Sequence, residues 1–293
     1  MDLAYLQSHP HHLPAFLTHQ RIRETPVGGG GICAASRLTL DDGASVFAKS
    51  WPKGDPPPGF FAAEAAGLRW LGEGGAPVPA IIAELPDLLV LEWIDPGPPT
   101  PAAAHGLGRA LARLHRGGAA RFGTDRPGYI GSLALPDESG AGPWPDWFAR
   151  ARLAPYLKIS ADRGALSGAD VAAVERLIES IGGYAGPAEP PARIHGDLWP
   201  GNVLWSDAGT AYLVDPAAQG GHRETDLATL ALFGGAPHLD KIIEGYQEVW
   251  PLADGWPDRV PLHQLHLLLV HTALFGASYH TAVMSAVRAT VDR

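Results

Sequence analysis

The most informative segment of this 293-residue chain is His195-Gly-Asp-Leu-Trp-Pro-Gly-Asn202. It sets a histidine, a carboxylate and an amide at the spacing H-x-D-x-x-x-x-N. A loop carboxylate at Asp197 can accept the proton of a hydroxyl group, and an amide oxygen at Asn202 can hold a metal ion. These residue types at this spacing predict catalysis on a hydroxyl group, with this loop at its centre.

A second carboxylate follows thirteen residues after Asn202. The segments Val203–Trp205 and Ala211–Val214 are typical of two short strands joined by a turn, so Asp215 comes directly after a strand. This is the spacing of a kinase catalytic loop followed by the Asp of a D-F-G segment, which binds magnesium in kinases. The joint spacing favours Asn202 and Asp215 as Mg²⁺ ligands over two unrelated turn residues.

A run of four glycines precedes the first predicted strands. Backbone amides without side chains around them can approach the phosphates of a nucleotide, although a flexible linker has the same composition. The kinase-like spacing downstream favours the nucleotide-binding interpretation. The run consists of Gly28, Gly29, Gly30 and Gly31.

Lys49 is one of only four lysines in the chain, and it ends an alternating strand in which Val46 and Ala48 share the opposite face. Glu64 lies fifteen residues later on a predicted helix, Phe60–Gly72. An ion pair between the two would hold the Lys49 ammonium on the α- and β-phosphates of ATP. Solvated surface positions are the alternative, but the alanines around Glu64 favour the ion pair.

The predicted strand Leu88–Ile94 leads into a proline-rich segment that resembles a linker. In a kinase-like chain this strand enters the hinge between two lobes. Backbone groups of Glu92, Trp93 and Ile94 could there pair with the adenine of a nucleotide. We therefore expect these three residues to belong to the nucleotide site.

The element pattern predicts an α+β chain with two lobes. Residues 1–94 form a small N-terminal nucleotide-binding lobe, a β-sheet with one helix, and residues 95–99 form the linker. Residues 100–293 form a larger, mainly helical lobe that carries the catalytic loop and the acceptor site. Thr100 is expected to cap the first helix of that lobe, and Thr225 a later one.

Composition and charge exclude several other functions. The 22 basic and 31 acidic residues give a formal charge of −9, which argues against a partner with a phosphate backbone such as a nucleic acid. The lone Cys33 excludes an internal disulfide, and a small buried side chain is favoured there over a redox switch. Residues 1–20 lack a signal-peptide pattern and Leu265–Ala277 is too short to span a bilayer, so we expect a cytoplasmic protein that binds no membrane.

The chain resembles the fructosamine (ketosamine) kinase family, within the aminoglycoside phosphotransferase and choline kinase group of protein-kinase-like folds. The segments that match are Val27–Ala34, Gly128–Gly131, His195–Asn202 and Asp215–Asp226. They extend over nearly the whole chain. The HGDLW and DPA…GHRE…DLA patterns are specific to this family rather than to kinases at large.

The resemblance implies a kinase that uses ATP and Mg²⁺ to phosphorylate a sugar hydroxyl of a ketosamine. The ketosamine would be either a small molecule or attached to a protein. The labile product would shed its sugar, so the step would repair glycation. Asp197 would be the base, and Lys49 with Glu64 would hold the phosphates. Asn202 and Asp215 would be the metal ligands.

The resemblance also implies roles for two further sets of residues. Trp199, His222 and Glu224 would border the acceptor site. His195 and Asp226 would support the catalytic loop structurally, Asp226 by hydrogen bonds to it.

The chain departs from the family pattern after the Ile-Gly pair of its second matching segment. Family members tend to carry a glutamine and an asparagine there, whereas this chain has Leu133-Ala-Leu135-Pro136-Asp137. Leu135 cannot form a side-chain hydrogen bond, and Asp137 adds a charge. If that loop contacts the acceptor, Asp137 would favour a substrate with a cationic amine.

Two alternatives stay open at the level of sequence. The acceptor could be another small alcohol, such as an aminoglycoside or a choline-like molecule. The chain could instead be a non-catalytic nucleotide-binding pseudokinase, but such proteins normally lose a residue equivalent to Lys49, Asp197, Asn202 or Asp215. All four are present.

Overall fold

In the computed structural model, the first part of the chain, called here the sheet part, forms a five-stranded antiparallel sheet. Its strand order is β1-β2-β3-β5-β4. The structure describes residues 1–19, 22–28, 31–136, 139–140 and 142–292. The five strands are β1 Arg23–Pro26, β2 Ala34–Thr39, β3 Ser45–Ser50, β4 Ile81–Glu84 and β5 Leu88–Glu92.

The β2–β3 hairpin sets Lys49 in the middle of this sheet. Asp41-Asp42-Gly43, a sequence typical of hairpin turns, joins the two strands, and its glycine adopts φ +83°, which residues with side chains rarely adopt. Val46 and Ala48 enter a hydrophobic core on one face of the sheet, as the alternation predicts. Lys49 therefore points to the other face, where it pairs across the ladder with Leu89.

Three α-helices are described in the sheet part, whereas the sequence predicts one helix there. The predicted helix is α3, and it ends where expected, with Gly74 at its C-cap and Gly75 at φ +83°. The other two have six residues each, too few for a periodic pattern to be recognised. The helices are α1 Leu3–Ser8, α2 Leu13–Thr18 and α3 Phe60–Glu73.

The rest of the chain, called here the helical part, consists of eight described α-helices and three described two-stranded antiparallel pairs. The helices are α4 Pro101–Arg116, α5 Trp144–Phe148, α6 Ala154–Asp162, α7 Gly168–Glu179, α8 Arg223–Thr229, α9 Leu239–Val249, α10 Trp256–Phe275 and α11 His280–Val291. The strands are β6 Gly128–Ile130 with β7 Leu133–Leu135, β8 Ala192–Ile194 with β11 Gln219–Gly221, and β9 Val203–Trp205 with β10 Ala211–Leu213.

The linker between β5 and α4 is tied to the β9–β10 hairpin. The Gly97 amide donates to the Trp205 carbonyl at 2.8 Å, and the Asp207 amide donates to the Asp95 carbonyl at 3.1 Å. Thr100 then caps α4 as predicted, because its hydroxyl accepts from the backbone amide of the third helical residue at 3.1 Å. These bonds fix the linker against the hairpin that separates Asn202 from Asp215.

The helical segment from Trp144 to Asp162 consists of three pieces: α5, a π-helical turn at Ala149–Leu153, and α6. Pro155 explains the interruption, because it has no N–H to donate to the carbonyl of Ala151. The Arg152 guanidinium donates to that carbonyl instead, at 2.7 Å. Periodicity alone cannot reveal such a local widening of the helix.

The prediction that Thr225 caps a helix is wrong. Helix α8 begins earlier, and its N-cap is His222, whose ring nitrogen accepts from the backbone amide of Glu224 at 3.2 Å. The Thr225 hydroxyl lies inside the helix and bonds to the ring of His263 at 3.0 Å. A histidine ring nitrogen can accept the hydrogen bond that capping needs. Histidine is not among the residue types preferred at the N-cap, however, so the sequence does not indicate this cap.

Helices α10 and α11 follow one another at the end of the helical part, with a break at Gly276, where φ is +80°. By length and composition alone, residues 256–291 could cross a membrane. In the fold, Leu265 and Leu268 are buried in the main hydrophobic core, and α10 packs along α6, α8 and α11. The core accounts for the apolar character of this stretch.

Helices α4 and α9 cross at two glycines. A Cβ atom on Gly108 would lie 1.9 Å from the carbonyl oxygen of Ile242, and one on Gly245 would lie 2.2 Å from the carbonyl oxygen of His105. The two backbones therefore approach more closely than any other residue type would allow. This contact sets how α4 meets the rest of the helical part.

Candidate active site

A cavity of about 810 Å³ lies between the sheet part and the helical part. Strand β3 and helix α3 contribute Lys49 and Glu64 to its wall, and the helical part contributes Asp197, Asn202 and Asp215. The five residues that the sequence assigns to catalysis and metal binding are thus brought together. Its size is in the range of cavities that hold small ligands and cofactors.

Lys49 bonds to two carboxylates, one from each part of the molecule. Its Nζ lies 2.8 Å from Glu64 Oε2, the predicted ion pair, and 2.9 Å from Asp215 Oδ1. Burial opposes the charge on Lys49, but the two carboxylates outweigh burial and raise the pKa of its ammonium above the usual value. Burial raises the pKa of Glu64, and the Lys49 charge opposes that rise. Lys49 is therefore a fixed, fully charged group.

Asp197 presents a carboxylate with an unsatisfied oxygen. Its Oδ1 is shielded from solvent and has no hydrogen-bond partner among the described residues. Burial, and then the nearby charge of Asp215, raise its pKa well above the usual range for aspartate. A buried acceptor without a donor is costly, so this oxygen is suited to meet a donor from a ligand.

The catalytic loop is held by His195 and Asp226, as the sequence analysis expects of these two residues. Asp226 accepts hydrogen bonds from the backbone amides of His195 and Gly196, at 2.7 and 2.9 Å. The His195 Nε2 donates to the carbonyl of Val214 at 2.8 Å, so its Nδ1 accepts from the amide of Asp197 at 3.2 Å. Burial lowers the pKa of His195, which keeps the ring neutral in this arrangement.

A second layer of contacts fixes Asp226. His115 on α4 lies with its Nε2 3.1 Å from Asp226 Oδ2 and its Nδ1 3.0 Å from the hydroxyl of Tyr246 on α9. Burial would raise the pKa of Asp226, but His115 and the loop amides hold it below its usual value. The sequence analysis did not find His115, because a histidine among leucines on a helix has no distinguishing spacing.

Asn202 and Asp215 fit a cation site. Asn202 donates its Nδ2 to the carbonyl of Asp197 at 2.8 Å, which leaves its side-chain oxygen as the atom that can bind a cation. Asp215 adopts φ +55°, an uncommon conformation for a residue with a side chain. Burial would raise its pKa, but Lys49 holds it below the usual value, so it stays ionised. An amide oxygen and an ionised carboxylate are ligands that Mg²⁺ prefers.

The described glycines of the predicted phosphate loop line the cavity. Gly28 and Gly31 are both at its wall, and a Cβ atom on Gly28 would meet nothing within 4 Å. Gly29 and Gly30 lie outside the described residues. Cys33, close to this loop, is buried, and burial raises the pKa of its thiol to about 11, so the prediction of a small buried side chain is confirmed.

The three predicted hinge residues also line the cavity. The Glu92 amide donates to the carbonyl of Ala80 at 2.8 Å, so it is already engaged in the sheet. The Trp93 indole donates to Asp95 at 2.9 Å. Ile94 follows directly after them. Their contact with a nucleotide base stays a prediction, which concerns the backbone groups at the end of β5.

Of the residues expected at the acceptor border, only Trp199 is at the cavity. Glu224 is buried and forms a two-pronged pair with Arg259, at 2.7 and 2.8 Å. His222 is buried at the start of α8 and contacts the ring of Trp144. His222 and Glu224 are thus buried inside the helical part, and neither lines the cavity. Asp137 lies outside the described residues.

Comparison with known proteins identifies the family of the chain. The family model for fructosamine kinase matches residues 8–293. A probable ketoamine kinase of Thermus thermophilus is 38% identical over 236 residues, which cover 80% of this chain and 84% of that protein.

Two solved structures show the same fold. A provisionally named fructosamine-3-kinase from Thermobifida fusca has a TM-score of 0.87 and 47% identity, covering 93% of this chain and 94% of that one. An aminoglycoside phosphotransferase in a ternary complex with ADP and hygromycin B has a TM-score of 0.60 at 15% identity, covering 96% of this chain and 99% of that one. The chain therefore belongs to the fructosamine kinase family and is an ATP-dependent phosphotransferase with a protein-kinase-like fold.

Proposed function

We propose that this protein transfers the γ-phosphoryl group of ATP to a sugar hydroxyl of a ketosamine, as a step in the repair of glycated amines. The observation that carries the proposal is the shared cavity. One space contains the Lys49–Glu64–Asp215 cluster, the Asn202 amide and the Asp197 carboxylate with its unsatisfied oxygen. A phosphate clamp and a base at one cavity are what transfer to a hydroxyl requires.

Asp197 is the group that handles the proton. A hydroxyl placed against its free Oδ1 donates its proton to the carboxylate while the hydroxyl oxygen bonds to the γ-phosphorus and the bond to the β-phosphate oxygen breaks. The raised pKa of Asp197 brings its basicity closer to that of the substrate, which favours proton transfer at neutral pH. The backbone bonds from Asp226 keep the loop, and with it this carboxylate, in place.

Lys49 and the glycine loop bind the phosphates of ATP. Glu64 and Asp215 both hold the Lys49 ammonium, so its charge is oriented before the nucleotide arrives. Asn202 and Asp215 would hold Mg²⁺, which supplies positive charge to the phosphate oxygens when bound. Gly28 and Gly31 leave their backbone amides accessible to phosphate.

The test is an acceptor panel in a coupled ADP-release assay with purified protein, ATP and MgCl₂. The acceptors are a fructosamine, choline, an aminoglycoside and free fructose. We expect turnover with the fructosamine, a phosphate ester in the ³¹P spectrum of the product, and slow release of the free amine afterwards. Phosphorylation of choline or the aminoglycoside alone would overturn the ketosamine assignment, and a stable product would overturn the repair role.

A further inference from the structure

Five aromatic side chains form a continuous group along the cavity wall next to the catalytic loop. Centroids of neighbouring rings lie 4.9 to 6.0 Å apart. All five line the cavity. They are Trp199, Phe233, His271, Phe275 and Tyr279, and we call them the aromatic cluster.

The cluster is not explained by core packing. Phe233 is 44% exposed and Phe275 is 47% exposed, so both rings present faces to the open cavity rather than to the protein interior. Phe233 also has φ +53°, an uncommon backbone conformation for a residue with a large side chain. Such outliers persist where the surrounding structure imposes them, and they concentrate at ligand sites.

His271 gives the cluster one polar atom with a defined role. Its Nδ1 donates to the carbonyl of Leu267, one helical turn earlier, at 2.8 Å. Burial lowers the pKa of the ring, so it is neutral and its Nε2 carries the lone pair. The ring lines the cavity, and the cluster therefore offers a hydrogen-bond acceptor among aromatic faces.

One end of the cluster lies at the catalytic loop, where the acceptor hydroxyl has to lie. Trp199 lies two residues after the base Asp197, and its ring packs against Gly201, where a Cβ atom would lie 2.1 Å from the indole. Phe275 extends the cluster to the glycine loop, because its ring lies 3.9 Å from the position of a Cβ atom on Gly31. A substrate hydroxyl at Asp197 thus has the cluster directly beside it.

We propose that the aromatic cluster binds the amine portion of the ketosamine acceptor and selects amines with an apolar substituent. The secondary amine of a ketosamine is protonated at neutral pH. The aromatic faces attract that cation, and one of its N–H groups donates to His271 Nε2. The apolar substituent of the amine packs between Phe233 and Phe275. This inference rests on the proposed function and adds to it the class of amine.

The first test compares two fructosamines that differ only in the size of the amine. One is made from 2-phenylethylamine and the other from methylamine. We expect the wild-type kcat/KM to be at least tenfold higher for the phenylethyl adduct. Phe233→Leu and Phe275→Leu, which keep apolar volume and remove the ring, should reduce that ratio at least threefold. Tyr5→Leu, an exposed aromatic residue outside the cavity, should leave it unchanged.

The second test isolates the charge of the amine. His271→Phe keeps an aromatic ring and removes the acceptor atom. Calorimetry without ATP measures binding of the phenylethyl fructosamine and of a neutral analogue in which an ether oxygen replaces the amine. We expect His271→Phe to weaken the amine about tenfold and to leave the ether within about twofold.

The outcomes separate this inference from the function on which it rests. Suppose that wild-type protein phosphorylates both fructosamines, and that the Phe233, Phe275 and His271 variants leave the kcat/KM and affinity ratios between paired ligands unchanged. The cluster then does not select the amine, and the ketosamine kinase assignment stands. If neither fructosamine is phosphorylated while another alcohol is, both are overturned. A thermal melt of each variant identifies loss of folding, and the ratio of two substrates within one variant is independent of the folded fraction.

Discussion

Asp197 and Asp215 are carboxylates at the same cavity, yet their surroundings push their pKa values in opposite directions. Burial and the charge of Asp215 raise the pKa of Asp197. For Asp215, Lys49 outweighs burial and lowers it. Carboxylates separated in this way take different roles, the higher one exchanging protons and the lower one staying ionised. The two single-residue variants below test that division.

Asp197→Asn removes the base and keeps the shape of the side chain. We expect kcat to fall by roughly 10²–10⁴, the usual contribution of a positioned general base. The affinity for ATP should stay within about twofold, because Asp197 contacts the acceptor side. Asp207→Asn, on an exposed turn outside the cavity, is the matched control. Steady-state kinetics measure kcat and KM for both variants. Near-wild-type turnover in Asp197→Asn would show that Asp197 is not the general base.

Asp215→Asn should weaken the binding of magnesium. Without the ionised carboxylate, Mg²⁺ affinity in the presence of ATP should fall at least tenfold, a loss of about 1.4 kcal/mol. Turnover at fixed magnesium should fall with it. Titration of MgCl₂ into protein with ATP, followed by calorimetry, gives the affinity directly. An unchanged affinity would place the cation on other ligands.

Sequence analysis reached the charged residues of the site but missed most of the aromatic ones. Lys49 and Glu64 were predictable because each stands at a fixed position in one strand or helix, and Asp197 and Asp215 because a short hairpin separates them. The aromatic cluster comes instead from the catalytic loop, the loop after α8 and the end of α10. Only tertiary folding brings Phe233, His271 and Phe275 together, so no spacing reveals them.

At the scale of elements, the crossing of α4 and α9 supports the catalytic loop from behind. Helix α4 carries His115, whose ring bonds to Asp226 through one nitrogen and to Tyr246 of α9 through the other. The close backbone approach at Gly108 sets the distance between these helices. A change in the distance between α4 and α9 would therefore shift Asp226, and with it the catalytic loop.

Gly108→Ala should destabilise the protein. The new methyl group would force α4 away from the Ile242 carbonyl, and overpacking of this kind costs about 1–3 kcal/mol. Gly106→Ala, two residues away on the exposed face of the same helix, is the control. Its Cβ atom meets nothing within 4 Å, so it should gain about 0.5–1 kcal/mol from helix propensity. Urea unfolding of both variants measures the difference, and equal midpoints would contradict the close contact.

Element boundaries were predictable where a local signal sets them. Thr100 and the glycines after α3 end or begin helices through their own backbone and side-chain chemistry, and both are where the sequence indicates. The π-helical turn before Pro155 and the start of α8 at His222 depend on side-chain contacts that the residue types alone do not predict. A guanidinium that replaces a missing N–H, or a histidine ring that caps a helix, has no local signature.

At the scale of the whole molecule, the interior holds several neutral histidines. His195, His222, His263 and His266 are almost fully buried, and burial lowers the pKa of each, to about 3 for His266. In the unfolded chain their pKa returns to about 6.5. Below that pH the unfolded chain thus binds more protons than the folded one. The contribution of these histidines to the free energy of unfolding is therefore fully present above pH 6.5 and is lost as the pH falls.

His266→Phe should make the protein less sensitive to acid. Each buried histidine lowers the free energy of unfolding by up to about 1.4 kcal/mol per pH unit once the unfolded form is protonated. Between pH 6 and pH 4, the slope of unfolding free energy against pH should be shallower in the variant by about that amount. Urea unfolding at several pH values provides the slopes, and identical slopes would show that His266 titrates normally.

The enclosure of Lys49 has a consequence for the survival of the enzyme among reducing sugars. A lysine amine condenses with a sugar carbonyl only when it is unprotonated and accessible. Glu64 and Asp215 keep Lys49 protonated, and its side chain is 11% exposed. The chain also carries only four lysines against eighteen arginines. Under the proposed function, the one amine that its chemistry requires is thereby protected from the modification that it repairs in other molecules.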